Sequence, residues 1–148
     1  MRILAVSGSL QARSSNGALL HGLVAEFGDA TGGTTATFTR AVHDLPPFNI
    51  DTDVEPAIAA VQGWRAELAQ ADVVLFATPE YAFGIAGSLK NAVMSADVVG
   101  VQSVPFARAK VNADGDVTDQ ATHELLRGLA RATQDRISAL TAGGDGGG

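Results

Sequence analysis

The sequence predicts an open α/β fold, a doubly wound parallel sheet with helices on both faces. Three observations predict it. Ile3 to Val6 is a short apolar run at the very start of the chain. Asp72-Val73-Val74-Leu75-Phe76-Ala77 is a second, continuous apolar run, the pattern of a strand buried on both faces of a parallel sheet. Between them the periodicity passes from helix to strand and back to helix. The result is a βαβαβ unit, and right-handed crossovers place its helices on both sides of the sheet.

Taken in order, the first strand gives way at Ser7-Gly8-Ser9 to small and hydroxyl residues, and a helix follows from Asn16. Leu19, Leu20, Leu23, Val24 and Phe27 recur at three- and four-residue spacing and form one apolar face. Gly28 is placed to end that helix, and Gly32-Gly33 forms a loop. Thr34 to Thr39 alternates and is rich in β-branched residues, so it is read as the second strand. Pro46-Pro47 then excludes regular structure. His43 has no second histidine at metal-ligand spacing and is read as a loop histidine hydrogen-bonded to its surroundings.

Asp53-Val54-Glu55-Pro56 reads as a helix start. Ile58, Val61, Arg65 and Leu68 follow at helical spacing, and Trp64 among them reads either as a stacking partner for a ring ligand or, more commonly for the residue type, as a packing residue at the helix–sheet seam. After the third strand, Val98 to Val104 is expected to be a fourth. Asn112-Ala113-Asp114-Gly115-Asp116 is a turn cluster without the ligand spacing of a calcium loop. Thr118 or Asp119 caps a last helix with Leu125, Leu126 and Leu129 on one face. A single domain over residues 1–141 and a flexible glycine-rich tail over 142–148 complete the chain.

Composition narrows the function. The chain of 148 residues carries 10 Lys and Arg against 16 Asp and Glu, a formal charge of -6. That argues against nucleic acid as a partner, since phosphate-backbone binding needs a basic face. The cysteine count is 0, which removes disulfides, thiolate catalysis and Cys-ligated metal. No metal site is expected. No apolar run is long enough to span a bilayer, and the Met-Arg start runs straight into a strand without a cleavable signal layout. The expectation is a cytoplasmic protein with no membrane partner.

Two loops carry the chemistry. In a doubly wound sheet of order 2-1-3, the loops after strands one and three meet over one crevice at the carboxyl edge, where ligands bind. The first, Ser7 to Asn16, offers the hydroxyls of Ser7, Ser9, Ser14 and Ser15 at a helix start. It reads either as a phosphate cradle or as a tight turn with a serine N-cap. The second, Thr78 to Ala92, brings Tyr81 and Phe83. An aromatic loop facing a hydroxyl loop suits a ligand with a flat ring at one end and a phosphate at the other. A dinucleotide or Walker-type site is not indicated, because neither Gly-x-Gly-x-x-Gly nor Gly-Lys-Ser/Thr is present.

Gly8-Ser9-Leu10-Gln11-Ala12-Arg13-Ser14-Ser15-Asn16 resembles the Gly-Ser-Leu-Arg-x-x-Ser-x-Asn motif of the NAD(P)H-dependent FMN reductases, a flavodoxin-like family that includes quinone, chromate and azo-dye reductases. Pro79-Glu80-Tyr81-Ala82 and Ala86-Gly87-Ser88-Leu89-Lys90-Asn91-Ala92 resemble that family's Pro-Glu-Tyr-Asn and Pro-Gly-x-Leu-Lys-Asn-Ala. Asp44 to Asn49 and Asp114 to Asp119 are similar to two further family stretches.

The resemblance implies FMN as cofactor and NADPH or NADH as electron donor. It implies a small acceptor such as a quinone, free flavin, azo dye or metal oxyanion, and a homodimer or homotetramer. It implies that Ser9, Gln11, Arg13, Ser14, Ser15 and Asn16 hold the FMN phosphate. Pro79, Glu80, Tyr81, Ala82, Phe83 and Gly84 would then line the isoalloxazine. No catalytic side chain is expected, because the flavin carries the chemistry.

The chain departs from the motif at Gln11, where the family has arginine, with Arg13 close enough in sequence to supply the charge. It departs again at Ala82 (asparagine) and Ala86 (proline). It also runs from Ala92 almost directly to Val98, so one internal βα unit of ~30 residues is absent from the expected plan. The expected sheet is therefore four strands in the order 2-1-3-4. The alternative reading is a truncated flavodoxin-like module with weak or no flavin binding, acting only in binding or dimerisation.

Overall fold

The computed structural model describes residues 1–11, 13–31, 33–49, 51, 58–93, 110–112, 114 and 116–143. Its centre is a three-stranded parallel sheet of β1 (Arg2–Ser7), β2 (Thr35–Thr39) and β3 (Val73–Ala77), in the order β2-β1-β3. Leu4 pairs with Thr37 on one side and with Val74 on the other. β1 is therefore central, and its alternation is replaced by continuous burial from Ile3 to Val6. The expected fourth strand, 98–104, and residues 94–97, where the sequence reading expects a βα unit to be absent, lie outside the described residues.

Helices cover both faces. Ile3 and Ala5 point to one side, where they meet Leu19, Leu20, Leu23 and Phe27 of α1 (Ser15–Thr31) and Leu126 and Ala130 of α4 (Gln120–Gly143). Leu4 and Val6 point to the other side. There they meet Trp64 of α2 (Ala59–Gln70), Leu89 and Ala92 of α3 (Gly87–Ala92), and Val42 of a short 3₁₀ turn, Ala41–His43. Trp64 is the expected seam residue, and its Nε1 donates to Ala92 O at 3.1 Å.

Four sequence expectations need correcting. Gly28 does not end α1. The helix continues to Thr31 because the fully buried Phe27 anchors its last turns, and the chain reverses instead at Gly33, whose φ is +124°. Ile58 is not on the buried face of α2; it stands exposed just before the helix, in extended conformation. Leu125 is 37% exposed, and the inward face of α4 is Thr122, Leu126 and Ala130. α4 also runs two residues into the expected tail, to Gly143.

Of the two capping choices for α4, Asp119 is the one used: its Oδ2 accepts from Thr122 N at 2.9 Å and Thr122 Oγ1 at 2.6 Å. Those hydrogen bonds, from the hydroxyl first and then the N–H, hold the Asp119 carboxyl below the usual carboxylate range. Thr118 instead pairs back to Lys110 through its N–H, at 2.9 Å. The turn cluster forms as expected around Asn112, whose Oδ1 accepts from Asp114 N at 3.0 Å and Asp116 N at 2.8 Å.

Candidate functional site at the carboxyl edge

The carboxyl ends of β1 and β3 are adjacent, with Ser7 opposite Ala77. The two loops that leave them are joined at Gly8. Gly8 N–H donates to Ala77 O at 2.7 Å, and Ser88 Oγ donates to Gly8 O at 3.4 Å. A Cβ on Gly8 would stand 3.0 Å from Thr78 Oγ1 and 3.2 Å from Leu89 Cβ. Glycine is therefore needed here for close approach of the two loops. Thr78 Oγ1 in turn accepts from Ala86 N–H at 3.0 Å, fixing the residue before α3.

The first loop is a ladder of serine hydroxyls. Ser7 Oγ accepts from Ser9 N–H at 3.2 Å, Ser9 Oγ from Gln11 N–H at 3.4 Å, and Ser14 Oγ from Asn16 N–H at 3.2 Å. Each is the local i to i+2 bond that hydroxyl residues offer in turns. Ser14 O also accepts from Ala18 N–H, so Ser14 is the N-cap of α1. The cap reading and the cradle reading are compatible. The N–H groups of Ser15 and Gly17 in the first turn find no acceptor among the described residues. Ser9 is only 6% exposed, and its hydroxyl hydrogen has no acceptor among them either. Unspent donors at the positive end of a 17-residue helix suit an anionic oxygen cluster.

A cleft of about 220 Å³ opens beside this loop, on its β2 side. Ser9, Gln11 and Ser14 line it with His21 of α1, Phe38 of β2, Arg40 and His43. His21 and Phe38 stack with ring centroids 3.9 Å apart. His43 Nε2 lies 3.2 Å from Ser7 O, so the Nε2–H tautomer donates there, the local hydrogen bond expected of this histidine. Of the six residues expected on the phosphate side, Ser9, Gln11 and Ser14 line the cleft, while Arg13, Ser15 and Asn16 do not.

The second loop contains a feature the sequence did not signal. Glu80–Tyr81 (β4) and Gly84–Ile85 (β5) pair antiparallel in a two-residue hairpin. Its turn residues Ala82 and Phe83 have φ of +47° and +62°. Positive φ at both turn positions is the hairpin geometry that favours Asn-Gly. Tyr81 is exposed, and Phe83 at the tip is 99% exposed. The carboxamide of Asn91 clamps a third stretch to this loop. Its Oδ1 accepts from Phe48 N–H at 2.6 Å, and its Nδ2 donates to Pro46 O at 2.7 Å. Among the described residues no metal-binding cluster is present, and no helix is long and apolar enough to cross a membrane.

Comparison with known proteins agrees with this architecture. The chain is 37% identical over 93 residues to a probable NADPH:quinone oxidoreductase of Oryza sativa subsp. japonica, an alignment covering 62% of this chain and 45% of the relative. It is 34% identical over 101 residues to an NAD(P)H-dependent FMN reductase of Pseudomonas aeruginosa, covering 63% and 48%. The chain therefore spans about half the length of these relatives. In fold it is similar to FerB, a flavoenzyme NAD(P)H:(acceptor) oxidoreductase from Paracoccus denitrificans, with a TM-score of 0.69 at 24% identity, covering 93% of this chain and 97% of that one. The family model of the NADPH-dependent FMN reductases matches residues 1–138, and with the two joined loops in place the chain belongs to that family.

Proposed function

We propose that this chain is an FMN-dependent oxidoreductase that passes reducing equivalents from NADPH or NADH to a small acceptor, a quinone first of all. The observation that carries this reading is the junction at Gly8, which sets a donor-rich phosphate loop against an aromatic hairpin at one edge of the sheet. When bound there, FMN supplies the hydride-accepting ring that no side chain of the chain provides.

The residues divide the work. Ser9, Ser14 and Asn16, helped by Gln11, Arg13 and Ser15, hold the phosphate end through hydroxyls and the first-turn N–H groups of α1. Pro79, Glu80, Tyr81, Ala82, Phe83 and Gly84 line the ring end, chiefly through backbone. Tyr81 and Phe83 exclude water from one side of it. The exposed apolar tip of the hairpin supports a homodimer or homotetramer in which a second copy covers it. A cytoplasmic location and permissive use of azo dyes, free flavin or metal oxyanions belong to the same reading.

The test is a visible absorption spectrum of the purified protein before and after FMN titration, followed by NADPH oxidation with a quinone or ferricyanide. The expected result is a yellow protein with turnover well above that of free FMN. A protein that stays colourless after titration sinks the proposal.

A further inference from the structure

A phosphate monoester carries nearly two negative charges, and this chain carries a formal charge of -6. Screening limits attraction to about 8 Å at physiological salt, so a cation that adds to the hold of the α1 N–H groups has to stand at the phosphate itself. The position where the family has arginine is Gln11, which has no charge. Arg13, the nearest cation in sequence, does not line the cleft beside the loop.

We infer that Arg40, brought in from the end of β2, is the cationic partner of the ligand's phosphate in this chain, with His43 beside it. This rests on the FMN reading above. The cleft that Arg40 lines also contains Ser9, Gln11 and Ser14, the polar side chains of the phosphate loop, and no carboxylate. Its volume of about 220 Å³ is several times the ~30 Å³ that one water occupies, ample for a phosphate group.

The backbone under Arg40 is fixed. Thr39 is buried, and its Oγ1 accepts from Ala41 N–H at 3.1 Å; Arg40 O accepts from His43 N–H at 2.9 Å. The Arg40 guanidinium, by contrast, makes no hydrogen bond or ion pair among the described residues, so it is not committed to holding the fold. His43 spends its Nε2–H on Ser7 O, which fixes the ring beside Arg40 without offering the phosphate a donor. A buried hydroxyl with its hydrogen unspent (Ser9) and a guanidinium without a partner among the described residues thus converge on one cleft.

The test compares FMN with riboflavin, which has the same ring and no phosphate, by fluorescence quenching on the full chain. Arg40→Ala is expected to weaken FMN binding about 10- to 100-fold, the range of a lost hydrogen bond to a charged group. Riboflavin binding should stay within twofold, and Arg40→Lys should recover most of the FMN affinity. Raising salt should weaken FMN binding to the unmodified chain more than to Arg40→Ala. An Arg40→Ala variant that binds FMN as the unmodified chain does overturns the assignment while leaving the flavin reading intact. So does equal weakening of FMN and riboflavin. An unmodified chain that binds neither overturns both.

Discussion

Gly8 is the position at which fold and function are most tightly coupled, and Gly8→Ala is the sharpest single perturbation. The added Cβ would sit 3.0 Å from Thr78 Oγ1, 3.2 Å from Thr78 Cβ and 3.2 Å from Leu89 Cβ. None of these is the far end of a flexible chain. Thr78 is held by its bonds to Ala86 N–H and Pro79 O, and Leu89 is buried in the core of the α2/α3 face. Overpacking of this kind costs about 1–3 kcal/mol. Relief by moving Thr78 also releases the Ala86 N–H.

A double-mutant cycle isolates the contact. Thr78→Ala alone removes the acceptor for Ala86 N–H and is expected to cost about 1–3 kcal/mol. In the double variant the nearest atom is gone, so the two losses should fall short of additive by roughly 1 kcal/mol. Urea unfolding reads all four stabilities. FMN titration reads the functional side, with at least a ~10-fold loss of affinity expected for Gly8→Ala because the loops it joins must part. Stabilities that add to within about 0.5 kcal/mol, or a Gly8→Ala variant with unchanged FMN affinity, would refute the account of the junction.

Three further outcomes follow from the same geometry. Ala82→Asn places a residue tolerant of left-handed backbone at φ +47°, and should stabilise the hairpin by roughly 1 kcal/mol, read as slower amide exchange at Tyr81 and Gly84. Asn91→Ala removes both bonds to the Pro46–Phe48 stretch and should cost about 2 kcal/mol in urea unfolding, with Asn91→Asp intermediate. Acid titration should show a stability loss tied to Asp72 and Asp119. Arg2 N–H and then the Arg2 guanidinium lower the first carboxyl, and Thr122 lowers the second. A folded pKa below the unfolded value gives stability that is present above about pH 4 and lost as pH falls below it. Asp72→Asn with Asp119→Asn should flatten that limb of a Tm-against-pH curve.

The sheet was legible because its signal is apolar and local. Ile3 to Val6 and Val73 to Ala77 need burial whatever surrounds them, and α1 shows its face in Leu19, Leu20, Leu23 and Phe27. The serine loop was legible as chemistry, since three of its hydroxyls do bond to backbone N–H groups. The hairpin was not. Its arms are two residues each, and Ala82-Phe83 carries none of the Asn, Asp or Gly that announces positive φ. Gly28 misled for the opposite reason: a glycine mid-helix is tolerated when the residue before it is as deeply buried as Phe27. Arg40 was invisible because it reaches the first loop through parallel pairing of β2 with β1, not through sequence proximity.

Under the FMN reading, these differences divide the site into a phosphate end and a ring end of unequal rigidity. The phosphate end stands on β1, β2 and the N-terminus of α1, whose registry is fixed by the continuous pairing of Arg2 to Val6 with Thr35 to Thr39. The ring end stands on a two-residue hairpin whose turn holds two non-glycine residues at positive φ, each carrying about 1–2 kcal/mol of backbone strain. Both ends hang on β1 and β3, which pair directly, so neither needs a strand beyond β3 to be positioned. Under the FMN reading, affinity is then carried mainly by the phosphate, and the hairpin orders around the ring only once the ligand is held. Removing the phosphate from the ligand should weaken binding far more than truncating Phe83 does. Comparable losses from riboflavin substitution and from Phe83→Ala would contradict that ordering.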